Sequence, residues 1–413
     1  MIAEGVATRV SYKAYASGTM TSNSQDQAPG ASGAQTLRRT TANFSLSKST
    51  YQSAEIRDDR QIADFRHGAR TVTGSLQGEF SPQTYFELIT AAHRDTAVAS
   101  ITKGASAFTS VVSSNTGTFT MTAGNPVTEG FRVGDVIRFT GLAATANNSK
   151  NFIITSFTGT QSRTIGVYPA PTTDAAPDTS FTITRPGKST LIPSTGFVSR
   201  KFGIEVYHSD IDIARLTTEA RITGYRLGLP AEGMSTIEVM ATGRDQVVTS
   251  ASSAPYFTSP TAATTTGIFA AVNGLLRVGG TAVGTITGVD ISFDLAATTK
   301  QVVGQNFTPE IFLGRANVTG NFNALLEDGI LLNNFINEDE IDALLYLTTS
   351  SAAAADAVTI YLPRLKLGGA DVQVSGEADT PISLPFQCLK YVGSGSGIEQ
   401  TTIRVHDVAA TRS

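Results

Sequence analysis

The chain has 413 residues, of which 40% are hydrophobic and 16% charged, with a net charge of −4. That length favours two or three domains over one core, and the composition is that of a folded protein rather than a disordered one. The absence of a basic block argues against tight duplex binding, and the lone Cys388 excludes an intrachain disulfide framework.

In chain order, "MIAEGVATRVSYKAYASG" has no basic leader followed by an apolar stretch, so no cleaved secretory signal is expected. No run approaches the ~20 apolar residues that cross a bilayer. The expectation is a soluble protein made in a cytoplasm, with no membrane partner. Residues 1–36 read as an N-terminal arm: "SGTMTSNSQDQAPGASGAQ" is polar and rich in Gly and Ser, with too few apolar residues to pack by itself. It orders against a partner or remains a frayed tail.

"ANFSLSK" and "RTVTGSLQGEF" alternate apolar and polar residues, which predicts two strands with one buried face each. In "SPQTYFELITAA", Ser81 suits an N-cap and Pro82 the first helical position, with Tyr85, Leu88 and Ile89 on one face. The same grammar returns downstream. "DISFDLA" mirrors "ANFSLSK", setting Phe293 and Leu295 against Phe44 and Leu46. "GRANVTGNFNALL" mirrors "GARTVTGSLQGEF", with Gly68, Val72, Thr73, Gly74, Leu76 and Phe80 matched by Gly314, Val318, Thr319, Gly320, Phe322 and Leu326. "INEDEIDALLYLTT" then predicts the second helix, capped by Asn337 and Glu340, with Ile341, Leu344 and Leu345 inward. Strand, loop, strand, helix and strands repeated in order predict an internal duplication.

The expected fold is mainly β with short helices: two like domains in tandem and a small inserted β-barrel. The first domain takes residues 37–100 and 190–250, the insert 101–189, the linker 251–266 and the second domain 267–413. Five or six short strands in the insert, with Phe131, Val133 and a Gly134-Asp135 turn into Val136 and Ile137, suggest a closed or nearly closed barrel.

Chemistry is sparse. His67, His93, His208 and His406 show no zinc spacing, and "RPGKST" lacks the first glycine of a phosphate loop. "GSGSG" precedes no helix, Asp58, Asp59 and Asp64 lack a calcium-loop pattern, and "YHSDID" brings no nucleophile to His208. No catalytic residue, metal or cofactor is expected, and Cys388 reads as a buried, inert thiol.

The conspicuous feature is "EIRDDRQIADFRHGAR", residues 55–70. Its acids, Glu55, Asp58, Asp59 and Asp64, and its arginines, Arg57, Arg60, Arg66 and Arg70, form a mixed-charge lead-in to a strand. β-rich domains must deal with unpaired borders, and closing a ring between subunits is one solution. A long mixed-charge loop projecting from such a ring would suit contact with another ring or subunit; exposed ion pairs contribute only ~0.2–1 kcal/mol each, so it would set register and reject wrong partners rather than supply most of the affinity. A plain solvated loop is the alternative.

The segment from Leu37 to about Ala92 closely resembles the strand–loop–strand–helix region of tail tube proteins of long-tailed phages. Glu55, Arg57, Asp59, Arg60, Gln61, Asp64, Arg66, Gly68, Val72, Gly74, Glu79 and Ser81 fit that family's pattern; "YKAYASGTM" and "LRRT" fit it more weakly. The resemblance implies that each of the two tandem domains is a β-sandwich or half-barrel with a flanking helix, in a structural virion protein whose rings of six folds stack into a hollow tube for the genome. A chain with two folds would need three subunits per ring; one fold per chain in a hexamer is the alternative. It further implies contact with tape measure, tail terminator and distal tail proteins, DNA that passes without specific binding, and an insert outside the tube. The other reading is a β-rich adhesin or fibre with the insert as a glycan-binding module; the absence of tryptophan counts against it.

Overall fold

The computed structural model describes residues 2–16, 28–270, 274–282, 286–327, 329–372, 380–393 and 397–412. Strands dominate. β1 (Thr8–Ala14), β2 (Gln35–Thr36), β3 (Thr41–Gln52) and β4 (Phe65–Glu79) precede helix α1 (Phe86–His93). The alternation read in β3 and β4 is real: Phe44, Val72 and Leu76 are buried on one face. Tyr85, Leu88 and Ile89 are buried as expected, but the helix starts one turn later than predicted. Ser81 does not cap it; its hydroxyl bonds Thr84 Oγ1 at 2.7 Å in the turn before.

The insert follows: β5 (Ile101–Gly104), a helical turn α2 (Ala105–Phe108), β6 (Val111–Ser114), β7 (Thr118–Met121), β8 (Val136–Thr140), β9 (Phe152–Thr158), β10 (Thr164–Tyr168), β11 (Asp174–Asp178) and β12 (Thr182–Arg185). Its strand order is β11-β6-β7-β10-β9-β8-β12-β5. Of the closed or nearly closed barrel expected, the sheet is of the second kind: it rolls around a phenylalanine-rich core, and no ladder joins β5 to β11 among the described residues. Phe119, Phe139 and Phe152 pack ring to ring at its centre.

β13 (Lys188–Leu191) leads out of the insert, and β14 (Phe202–His208), β15 (Ile213–Pro230), β16 (Thr236–Gly243) and β17 (Asp245–Ser250) complete the first unit. The second contains β18 (Leu275–Val278), β19 (Thr281–Ala282), β20 (Ile286–Asp294), the small pair β21 (Thr298–Thr299) and β22 (Ile311–Phe312), β23 (Asn317–Leu325) and helix α3 (Ile330–Ile336). β24 (Ile341–Thr348), β25 (Ala357–Leu367), β26 (Asp371–Val372), β27 (Pro381–Cys388) and β28 (Arg404–Asp407) follow.

The two units share one wiring diagram. β3–β4, β4–β16, β16–β15, β15–β14, β14–β1, β15–β17 and β1–β2 correspond to β20–β23, β23–β27, β27–β25, β25–β24, β24–β18, β25–β28 and β18–β19. Even an irregularity repeats: the β14–β15 register slips between Phe202 and Ile204, and the β24–β25 register slips between Ile341 and Ala343. A bulge adds a residue on one side and steepens the twist, so a shared bulge marks a shared bend.

Three expectations are corrected. Phe44 lies opposite Gly74 and Ile291 opposite Gly320, so Phe44 corresponds to Ile291 and Leu46 to Phe293; the sequence match was two residues out. An even shift keeps the inward face, which is why the pattern concealed it. The second helix is Ile330–Ile336, in the "EDGILLNN" joint, whereas Ile341–Thr348 is a strand. That strand is apolar on both faces because the main core covers Ile341, Ala343, Leu345 and Leu347 while the insert covers Leu344. A run buried on two sides imitates a helical face. Within the predicted arm, Thr8–Ala14 is a sheet strand paired with β14, and Gln35 and Thr36 pair back onto it. Residues 17–27, between β1 and β2, lie outside the described residues. The equivalent pair β18–β19 turns on Gly279 and Gly280, at φ +57° and +77°, a pair of left-handed positions that glycine adopts without strain.

The insert packs on the second unit, not the first: its core includes Leu344, Ala357, Tyr361 and Val408. The stretch read as a linker is also packed, since Phe257 is fully buried with Ala34 and Leu216, and Glu205 Oε1 accepts the Tyr256 N–H at 2.6 Å.

Candidate assembly interface

The charged segment is the projecting end of the β3–β4 hairpin. Residues 54–67 are all exposed, and the ladder runs out to Gln52 opposite Phe65. Arg57 grips Asp59 with its Nη2 3.0 Å from Oδ2, and Arg66 Nε lies 2.7 Å from Asp64 Oδ2. These guanidinium hydrogen bonds, joined by the Gln61 and Phe65 N–H groups, hold the Asp59 and Asp64 carboxyls below the usual carboxylate range. Glu55, Asp58 and Arg60 make no ion pair among the described residues. Arg70 belongs to a different environment: its Nη1 reaches the buried Asp245 at 2.9 Å, which fastens the hairpin base to its own unit.

Sequence reading missed the apolar members of this loop. Ile56 is 98% exposed and Ile62 66%, and both interrupt the charges. Large aliphatic side chains held in water beside mixed charge have the makeup of an interface patch. Both isoleucines stand in "EIRDDRQI", where the surrounding charges mask any apolar periodicity.

The second missed feature is the seam between units. β15 is long enough to run through two ladders, and its distal part, Gly224–Pro230, pairs with β16 on one side and with β20 on the other. Gly224 is forced there: a side chain would meet the Phe293 carbonyl and Met240. Tyr225 and Phe293 stack across the ladder with centroids 5.0 Å apart, and the Tyr225 hydroxyl meets His93 Nε2 at 2.8 Å. Beyond β20, residues 295–316 fold back over the first unit. Asn306 O accepts the Arg70 N–H at 2.9 Å, and the Arg244 guanidinium lies over the Phe307 ring at 4.6 Å. Glu310 then bridges Lys201 at 3.2 Å and Arg221 at 3.1 Å, while Glu219 binds Lys201 and Arg244 at 2.7 Å each. No single motif announced this cluster; its members come from four separate segments.

The remaining polar groups fit a structural reading. Cys388 is buried and its burial pushes the thiol pKa up, so it is a poor nucleophile. No group of three or more His, Cys, Asp or Glu among the described residues could hold a metal ion. No helix among them is long and apolar enough to cross a membrane.

A mainly β molecule built of two equivalently wired sandwich units, joined border to border and showing a charged hairpin to solvent, defines a structural building block. The family model described as phage tail tube protein matches residues 5–388, and the chain belongs to that family. It is thus a structural component of the virion tail, in a family that assembles with itself and with other tail proteins. No curated protein matches the chain.

Proposed function

We propose that the chain closes into rings of three subunits, six equivalent units in all, that stack into the hollow tail tube through which DNA reaches the host. One observation carries this reading: the chain already contains one copy of the joint it would need. β15 of the first unit binds β20 of the second along a full antiparallel ladder. β3, the counterpart of β20, pairs with β4 on one border, and no strand runs along its other border among the described residues. The counterpart of Gly224–Leu227 is Gly369–Val372, because Leu227 faces Ile237 as Val372 faces Ile382. Copying the internal register sets Gly369 of one subunit opposite Ser47 of the next, and Val372 opposite Phe44. An open border of this kind is a template for another chain, and three such joints consume every border.

On this reading the units are β1–β4 with α1 and β14–β17, and β18–β28 with α3, while residues 101–189 form a module on the outside. Tape measure, tail terminator and distal tail proteins are the expected tail partners, and assembly takes place in the host cytoplasm. DNA passes through without specific binding, in keeping with the net charge of −4.

Negative-stain electron microscopy of the purified protein is the test. Stacked rings or tubes with six subdivisions are expected. Protein that stays monomeric at every concentration, in tail-assembly buffer, would sink the proposal.

A further inference from the structure

The internal seam has two parts, a ladder and a loop that folds over it. We infer that the charged hairpin, residues 48–70, is the counterpart of that loop and docks on the Glu340–Arg364–Lys366 face of the adjacent subunit in the same ring. This inference rests on the ring reading above. The two connections, β3 to β4 and β20 to β23, occupy the same place in the wiring and are of nearly equal length, residues 48–70 and 295–316 once strands are aligned. One is folded onto a neighbouring unit; the other is held at its base, where Arg70 meets Asn306 and Asp245, and its outer residues 54–67 stand in solvent.

The receiving surfaces correspond residue for residue. Phe202 is opposite Ala220 and Ile341 is opposite Leu365, each just before the shared bulge. Lys201 therefore corresponds to Glu340, Glu219 to Arg364 and Arg221 to Lys366. Each cross-strand pair is an ion pair, Lys201–Glu219 at 2.7 Å and Glu340–Arg364 at 2.5 Å, with the signs exchanged. The difference is cover. Lys201 and Glu219 side chains are 4% and 9% exposed beneath Glu310 and Tyr15, whereas Arg364 is 27%, Lys366 38%, Glu340 43% and Glu338 84% exposed.

Glu310 sits between two cations, Lys201 and Arg221. The matching space on the second unit lies between an anion, Glu340, and a cation, Lys366. An occupant must bring both signs, which the hairpin does. Asp64 stands four residues before Gly68, as Glu310 stands four before Gly314, so Asp64 meets Lys366 of the adjacent subunit and Arg66 meets its Glu340. Ile56 and Ile62 lose their exposure in the same event. The wrong signs at the internal site keep the hairpin from competing with Glu310 there.

Cysteines at Asp64 and Lys366 (Asp64→Cys with Lys366→Cys, Cys388 kept because it is buried) test this by oxidation of assembled protein. A denaturing gel that shows covalent species ending at three chains is expected, since a lateral contact closes on itself. A ladder continuing past six chains would place the hairpin between rings and overturn the inference. Rings visible by microscopy with no cross-link would overturn it as well, while leaving the ring reading intact; absence of rings from the parent protein would remove both. In parallel, Asp64→Lys and Lys366→Glu should each weaken ring closure about tenfold at low salt and restore it when combined. Singles that assemble like the parent count against the pairing.

Discussion

His93 and His406 are interior side chains held neutral. His406 accepts the Val136 N–H at Nδ1, 3.1 Å away, so its proton resides on Nε2, 2.7 Å from the Pro186 carbonyl. A second proton would point at an N–H donor. Burial pushes His406 down to about 4 and His93 to about 3, from an ordinary 6.5. For His406, the nearby Asp135 opposes that fall, and Arg185 and Arg404 add to it. The unfolded chain binds these protons below about pH 6.5 while the folded chain refuses them, so stability is lost as pH falls from there toward 4. Asp407, pushed up to about 7 by burial, works in the opposite sense and offsets one of the two protons. Between pH 4.5 and 6 the two histidines therefore lower stability as the pH falls, while Asp407 and Glu87, Glu205 and Asp342, whose carboxyls burial also raises, oppose them, so the histidine contribution is read as the difference between the parent and His406→Asn. Urea denaturation across that range measures it: His406→Asn should lose less stability on acidification than the parent, and an equal or greater loss would contradict the assignment. None of these environments was visible in the sequence, where His406 was simply a histidine without metal spacing.

At the scale of elements, β15 organises the molecule. Its proximal half belongs to the β14–β17 side and its distal half to the β16–β20 side, with a register slip between Ile222 and Gly224 where it changes company. The ion network at this bend should be a strong determinant of how the two units hold together. Removing one member of a buried network strands its partners, so Glu219→Gln should cost on the order of 3 kcal/mol in the isolated chain. The counterpart Arg364→Gln removes a partly solvated pair and should cost under about 1 kcal/mol. Equal losses in denaturation of the monomer would refute the difference in cover between the two faces. Periodicity located β3, β4, β20 and β23 well, because each has one wet face. It misplaced the second helix at Ile341–Thr348, because burial on both faces erases the alternation that distinguishes a strand.

For the whole molecule, the insert is the instructive case. In the sequence it interrupts the first unit and looks removable. In the fold it lies on the second unit, where it buries Leu344, Ala357, Tyr361 and Val408. Asp135 binds Arg404 at 2.6 Å and lies 3.7 Å from Arg185 in a fully buried cluster. Excision of residues 101–185 with a short Gly-Ser bridge should therefore yield insoluble protein, because β24 and β25 would expose an apolar face. A soluble, cooperatively melting product would show that the module is only decoration.

Composition, alternation and the repeated Val-Thr-Gly segments were enough to establish a mainly β chain with two like units and a charged loop between β3 and β4. Those properties are local, set by which residues tolerate water on one side of a strand. The tertiary structure alone decided that β15 and β20 meet, that the insert belongs to the second unit and that Glu340–Arg364 is the exposed, sign-reversed image of Lys201–Glu219. Such facts depend on which borders come together across hundreds of residues, and nothing within a short window of sequence encodes them.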